Sequence, residues 1–156
     1  MRTEIRNTKG EIIFESDKSL ESAYLDESDL TDAEFENANL EGVCWCGTIL
    51  RNANLKNADL YWAILFTSDL SGANLENANL QGADLKEVNL RGANLKNANL
   101  GLDNLGGSTQ LEGADLRDAD ITNTNFNGAR YNARTKFPDR FDPLKNKMTC
   151  KETARW

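Results

Sequence analysis

A large apolar residue returns at every fifth position through most of this 156-residue chain. The series runs from Leu20 to Leu105, slips by one residue, and resumes from Leu111 to Tyr131. The residue two positions earlier is small, most often Ala, and the other three positions are mostly polar. A period of five fits neither the 3.6-residue period of a helix nor the two-residue period of a strand. No other feature constrains the fold as strongly.

Each pentapeptide directs two side chains inward, the small residue and the large one, at a spacing of two. This spacing is typical of a strand, but the Asn, Asp and Gly residues that follow favour a turn. Short strands separated by turns can pair with the chain above and below them at about 4.8 Å. The repeat therefore predicts an all-β solenoid in which each unit contacts only its neighbours.

The repeats resemble a known family. Ala-Asn-Leu-Lys-Asn at 53–57 and Ala-Asp-Leu-Tyr-Trp at 58–62 are similar to the A-(D/N)-L-x-x signature of the pentapeptide-repeat family, over roughly residues 18–133. The resemblance implies a right-handed quadrilateral β-helix of about five to six coils, with four pentapeptides per coil. Asn37, Asn57 and Asn77 would then be stacked, and their side chains would form an amide ladder.

The N-terminal region, residues 1–17, is predicted to be a cap. Two apolar or alternating runs, Thr3–Arg6 and Glu11–Phe14, flank a turn at Asn7–Gly10, which is typical of a β-hairpin. A solenoid needs its open ends covered, because unpaired strand edges invite aggregation.

The C-terminal region, residues 134–156, is predicted to be a second cap followed by a basic tail. It contains both prolines and resembles the closing T-x-(F/W)-P-x-x-F-D-P element of many members of the family. Phe137 and Phe141 are expected to plug the top coil, and residues 144–156 to form a loose tail.

Composition disfavours several classes of function. A net charge of −7 argues against direct binding of nucleic acid, because polyanions repel. The absence of His removes the commonest general base and metal ligand, so we expect no enzyme, no cofactor and no metal site. Three cysteines, with no signal segment and no long apolar run, predict a cytoplasmic protein without membrane contact.

One group of outward positions breaks the polar pattern, around the face centred on Trp45 and Leu65. The predicted interaction patch consists of Tyr24, Cys44, Cys46, Tyr61, Trp62, Ile64 and Phe66. Exposed apolar patches often mark contact surfaces, and aromatic residues often anchor interfaces. Either another protein or a second copy binds there, or a terminal segment of the chain covers the patch.

Cys44 and Cys46 flank the inward Trp45. Along one strand they lie too far apart for an easy disulfide, and a metal ion would need more ligands than the distant Cys150. We therefore interpret them as small apolar surface residues, with a metal or redox role as the alternative.

Two further irregularities are visible. The slip between Leu105 and Leu111 predicts a one-residue bulge at the glycines, with Asp103 occupying a small-residue position. An insertion of this length is too short to favour a binding loop. Residues 11–42 carry a net charge of −10 and residues 127–156 carry +5. Oppositely charged ends indicate either simple solvation of the caps or head-to-tail or electrostatically steered docking.

The sequence thus favours a non-enzymatic protein-protein interaction or scaffold protein. The alternative comes from the resemblance, because some pentapeptide-repeat proteins mimic DNA and bind type II topoisomerases, giving quinolone resistance. The acidic composition agrees with this alternative. Three observations disfavour the DNA-mimic alternative: the rod is short, it lacks a long loop, and its acidic surface is interrupted by Lys56, Lys86 and Arg91.

Overall fold

The structure is a computed structural model that describes residues 3–16, 20 and 25–151. It contains four short strands, β1 (Thr3–Arg6), β2 (Ile12–Ser16), β3 (Arg130–Tyr131) and β4 (Thr149–Cys150). β1 and β2 pair antiparallel, which confirms the predicted hairpin. Within these ranges there is no α-helix, and no helix is long and apolar enough to cross a membrane.

Between the hairpin and β3, the backbone pairs with itself at a distance of twenty residues. Parallel bridges join Glu34 to Asn54, Asn54 to Asn74 and Asn74 to Asn94, and three further columns repeat this pattern. Four pentapeptides therefore separate one bridge from the next. Each bridge is a single residue long because a turn follows immediately, so the fold is a β-helix with few continuous strands.

The five-residue repeat forms the core. The large residue is buried at every repeat from Leu25 to Leu100, and the small residues before it lie against the same core. Trp45 is fully buried in place of a leucine, with its ring centroid 5.2 Å from that of Phe35. The apolar column is therefore continuous along the axis.

The polar positions of the repeat build its turns. The Asn or Asp before each large residue accepts a hydrogen bond from the amide two residues later, as Asp69 Oδ1 does from Ser71 at 3.0 Å. The second residue after the large one has a positive φ, 57° at Asn57 and 58° at Asn77. Asn77 Nδ2 donates to Asn57 Oδ1 at 3.0 Å, which confirms the predicted amide ladder.

The slip after Leu100 is larger than the sequence analysis predicts. Asp84 pairs with Gln110, so the repeat distance there is 26 residues and six residues are inserted, not one. Leu105, expected in the core, is 80% exposed. Thr109, not Asp103, takes the small-residue position, and its hydroxyl donates to the Leu80 carbonyl at 2.9 Å. Leu105 lies five residues after Leu100 by coincidence, although it belongs to a loop and not to the core.

The C-terminal segment is more ordered than expected. β4 pairs with β3 in parallel, and the amide of Thr149 donates to the Ala129 carbonyl at 2.8 Å. Met148 is buried. The prediction of a loose tail from residue 144 is therefore wrong as far as residue 151, because backbone pairing continues there.

The two phenylalanines of this segment lie against the core. The ring centroid of Phe141 is 5.3 Å from that of Phe126 and 4.9 Å from that of Phe137. Both side chains pack on the buried cluster, at the end where they were expected.

A pair of leucine substitutions tests the revised register. Leu75→Ala should lower the free energy of unfolding by about 2–5 kcal/mol, because it removes a fully buried side chain. Leu105→Ala should change it by less than about 0.5 kcal/mol, because that side chain is exposed. Chemical denaturation of both variants is the measurement, and equal losses would contradict the six-residue insertion.

Candidate functional site

The predicted interaction patch lies on one side of the solenoid and is largely exposed. Trp62, Ile64 and Phe66 are 46%, 41% and 41% exposed. Tyr24 lies outside the described residues. The structure brings the other six residues together, and we call them the apolar face: Cys44, Cys46, Tyr61, Trp62, Ile64 and Phe66.

The inward residues of two successive turns orient this face. Trp45 and Leu65 are fully buried, so the residues on either side of each project outward. Cys44 forms a parallel bridge with Ile64, and the amide of Gly47 donates to the Phe66 carbonyl at 2.9 Å. Ile64 and Phe66 therefore lie one turn above Cys44 and Cys46.

Two residues of the apolar face replace turn-forming residues. In the preceding repeat, Asp59 Oδ1 accepts a hydrogen bond from the Tyr61 amide at 3.1 Å. Cys44 and Ile64 occupy the equivalent position, and neither has a side-chain oxygen to accept one. The face is thus formed at the expense of local turn stabilisation.

Two residues at this side of the molecule also adopt unfavourable backbone conformations. Trp62 has φ 56° and Thr67 has φ 59°, at a position where Asn or Gly is more common. A non-glycine residue in a sparsely populated region costs about 1–3 kcal/mol, and such strain clusters at functional sites. The strained bulky residue Trp62 is also one of the most exposed apolar residues of the face.

Neighbouring residues hold Trp62 in place. Its indole Nε1 donates to Asp103 Oδ2 at 2.6 Å, and its ring stacks on Tyr61 with centroids 5.5 Å apart. A Cβ atom at Gly82, one turn above, would collide with the indole ring. The ring is therefore presented in a fixed orientation.

Asp103 organises the inserted loop, which we define as Gly101–Ser108. Its Oδ1 accepts hydrogen bonds from the amides of Leu105 at 2.8 Å and Gly107 at 2.6 Å. The Trp62 indole, followed by the loop amides, holds the pKa of Asp103 below its ordinary value of 3.8. One nearly buried carboxylate thus joins the loop to the apolar face.

An open groove of about 480 Å³ lies between the apolar face and the loop. Its polar lining includes Asp84, Gln110 and Arg130. Arg130 pairs with Glu112 at 2.8 Å, and Asp84 pairs with Lys86 at 3.0 Å. An apolar centre with a charged rim is the usual anatomy of a protein interface.

Asp103, the loop and Arg130 are parts of this site that were not predicted from the sequence. One signal was available, because the five-residue count puts an Asp where a small residue is expected, three residues before Gly106. Nothing in the repeat pattern distinguishes Arg130 from other basic residues near the C-terminus.

The two cysteines lie at the lower edge of the apolar face. Their Sγ atoms are 3.9 Å apart, and both thiols are free. Burial, the hydrogen bond with Cys44 and nearby carboxylates together raise the pKa of the Cys46 thiol to about 11. The Asp26 carboxylate, one turn below, accepts a hydrogen bond from the Cys46 amide at 2.8 Å.

Comparison with known proteins identifies the repeat. A family model described as pentapeptide repeats matches the chain in eight copies, over residues 19–44, 28–65, 68–101 and 108–130. No curated protein matches the chain.

Several solved structures are similar to this chain. One is alr5209, a pentapeptide repeat protein from Nostoc Pcc 7120, with 34% identity over 79% of this chain and 84% of that chain and a TM-score of 0.38. Rfr23, from the cyanobacterium Cyanothece 51142, is 32% identical over 70% of this chain and 65% of its own length, with a TM-score of 0.36. QnrB1, described as a plasmid-mediated fluoroquinolone resistance protein, is 18% identical over 81% of each chain, with a TM-score of 0.48.

The hydrogen bond between Trp62 and Asp103 should be visible in an acid titration. Because the folded-state pKa of Asp103 is lowered, its contribution to stability is complete above pH 3.8 and is lost as the pH falls through the lowered pKa. We expect the NMR signal of the Trp62 indole N–H to shift over that acidic range. The shift should vanish in Asp103→Asn and persist in Asp139→Asn, and an unchanged titration in Asp103→Asn would contradict the assignment.

Proposed function

We propose a function from one premise: this chain belongs to the pentapeptide-repeat family. Members of this family are in general structural or interaction proteins rather than enzymes. We propose that the chain is a non-enzymatic protein that binds another protein, or a second copy of itself, through the apolar face. The exposure of Trp62, Ile64 and Phe66, at positions where the repeat is mostly polar, carries this proposal.

The cost of the apolar face supports a functional origin. A repeat protein gains nothing in folding from an exposed Trp in a left-handed conformation or from the loss of two turn-forming side chains. Natural proteins break local rules mainly at functional sites. Three of the exceptions, Cys44, Trp62 and Ile64, adjoin one another, whereas Ile49 and Glu87 are exceptions elsewhere on the surface. The Asp103 loop holds Trp62 rigidly.

The composition of the face matches that of an interface. Aromatic side chains supply large contact areas at low cost in conformational entropy, and they are enriched among the residues that dominate binding energy. The charged pairs around the groove would form the rim, where they contribute more to the association rate and to selectivity than to affinity. Oppositely charged ends of the chain would assist encounter with a partner in the same way.

The finer architecture belongs to the same proposal. We infer a right-handed quadrilateral β-helix of about five to six coils, with the hairpin as the N-terminal cap and residues 134–156 as the C-terminal cap. The twenty-residue bridges support four sides per coil. The hairpin contributes a bridge between Asn7 and Ala33, which supports its place over the first coil. We also propose that the protein acts in the cytoplasm.

Substitutions on the apolar face should weaken binding without unfolding the protein. Phe66→Asp places a charge on the face and should weaken a μM association by tenfold or more, because loss of an aromatic residue that dominates the binding energy costs about 2 kcal/mol or more. Self-association is measured by analytical ultracentrifugation, and partner binding by affinity capture from the native cell extract. Leu144→Asp is the matched control, because Leu144 is 70% exposed outside the face.

A second variant separates binding from stability. Ile64→Asn should restore a turn-forming side chain, so its free energy of unfolding should equal or exceed that of the wild type, while its binding falls. If Phe66→Asp and Ile64→Asn associate and capture partners like the wild type, the proposal is wrong.

The alternative function is that of a DNA mimic that binds a type II topoisomerase. The net charge of −7 agrees with it. Ion pairs along the walls, such as Arg51–Asp69 at 2.6 Å and Lys56–Glu76 at 3.2 Å, neutralise part of the acidic surface. DNA, in contrast, carries one charge per ~1.7 Å of its axis.

A supercoiling assay distinguishes the two functions. We expect a molar excess of the purified protein to leave DNA gyrase activity and its inhibition by a quinolone unchanged. Inhibition of supercoiling, or protection from the quinolone, would instead establish the DNA mimic. The Phe66→Asp variant should behave like the wild type in this assay if the apolar face has no part in it.

A further inference from the structure

Cys44, Cys46 and Asp26 form the candidate for a further site. One ligand atom from each residue lies within 4.8 Å of the other two. Spacing along the sequence places no third ligand near the two thiols. The third ligand comes from the preceding turn, because Asp26 lies twenty residues before Cys46 and is stacked on it. We propose that these three side chains bind a thiophilic divalent cation, of which Zn²⁺ is the representative.

The distance between the thiols favours a metal ion over a disulfide. The Sγ atoms lie 3.9 Å apart, nearly twice the ~2.05 Å of an S–S bond. Two sulfurs bound to one tetrahedral Zn²⁺ at about 2.3 Å are separated by about 3.8 Å. The two thiols are therefore already at the spacing of one edge of such a tetrahedron, without movement of the backbone.

The backbone fixes this spacing. Cys44 and Cys46 project to the same side because Trp45 between them is fully buried. The Cys46 amide holds Asp26 Oδ1 at 2.8 Å, which keeps the carboxylate beside the thiols. One carboxylate oxygen already lies within 4.8 Å of both sulfurs, and a Zn–O bond of about 2.0–2.2 Å would draw it closer to them.

The donor set selects the class of metal. Two thiolates favour Zn²⁺ and other soft or borderline ions, whereas Ca²⁺ and Mg²⁺ prefer oxygen ligands alone. On binding, each thiol releases its proton to solvent, and the metal takes the resulting thiolate as a ligand. Three protein ligands leave a fourth position open, as in zinc sites that bind water or an external ligand. Cys44 and Asp26 are both exposed, so a cation can enter from solvent.

Ile64 and Phe66 lie one turn above the thiols and form the apolar side of the site. An apolar shell next to metal ligands excludes water and strengthens the attraction between the cation and the thiolates. The metal site does not depend on the proposed binding of a protein partner, since its ligands all come from this chain.

Calorimetric titration of the reduced full-length protein with ZnCl₂ tests the site. We expect one Zn²⁺ per chain, and Co²⁺ in its place should give the absorption bands of a tetrahedral thiolate complex. The double variant Cys44→Ser/Cys46→Ser should lose both signals. Asp26→Asn keeps an acceptor for the Cys46 amide but loses the charge, and should weaken Zn²⁺ binding by about 10- to 100-fold or more.

Cys150→Ser is the matched control, because Cys150 is a free, exposed cysteine outside the cluster. It should bind Zn²⁺ like the wild type. Circular dichroism checks that each variant is folded, and Asp26→Asn provides the decisive comparison if the double variant unfolds. Three results would overturn the proposal: no binding by the wild type, equal binding by all variants, or loss of binding in Cys150→Ser alone.

Discussion

The backbone hydrogen bond from one turn of the chain to the next is the interaction on which this structure depends. The amide of Leu50 donates to the carbonyl of Asp69 at 2.7 Å, and that of Leu70 to the carbonyl of Asn89 at 2.8 Å. No pentapeptide can bury its leucine or satisfy its amides alone, so each turn is stable only against its neighbours. Everything that points inward is therefore restricted to one large and one small residue per repeat.

This restriction leaves the outward positions free to vary, and the proposed binding site lies where they depart from the pattern. Over most of the surface, Asn and Asp side chains bind their own turns and the turn below. On the apolar face, Cys44, Ile64 and Trp62 replace such residues and do not stabilise the turns in this way. Neighbouring carboxylates compensate for part of this loss. Asp26 accepts the hydrogen bond from the Cys46 amide that Cys44 cannot accept, and Asp103 accepts one from the indole of the strained Trp62.

Much of the fold could be predicted from the sequence, because a repeat supplies the same information many times. The buried leucines, the amide ladder and the hairpin follow from residue type and spacing alone. The register after Leu100 could not be predicted, because Leu105 keeps the five-residue count although it lies in a loop. The exposed members of the apolar face were identifiable as exceptions to a regular pattern, whereas the contacts made by Asp26, Asp103 and Arg130 were not predictable. Their roles depend on contacts between residues twenty or more positions apart, which spacing within one repeat does not reveal.

The six-residue insertion within the loop Gly101–Ser108 shows that the β-helix tolerates added length at this corner. Bridges resume at Gln110 in the same columns that the preceding turns use, so the insertion leaves the stacking on either side unchanged. Leu105 and Gly106 are exposed at its tip, and the carboxylate of Asp103 closes its base. The tip is thus a natural acceptor for grafted peptides. Segments of differing length and sequence could be displayed there beside the apolar face, on a rigid support that does not need to be redesigned for each one.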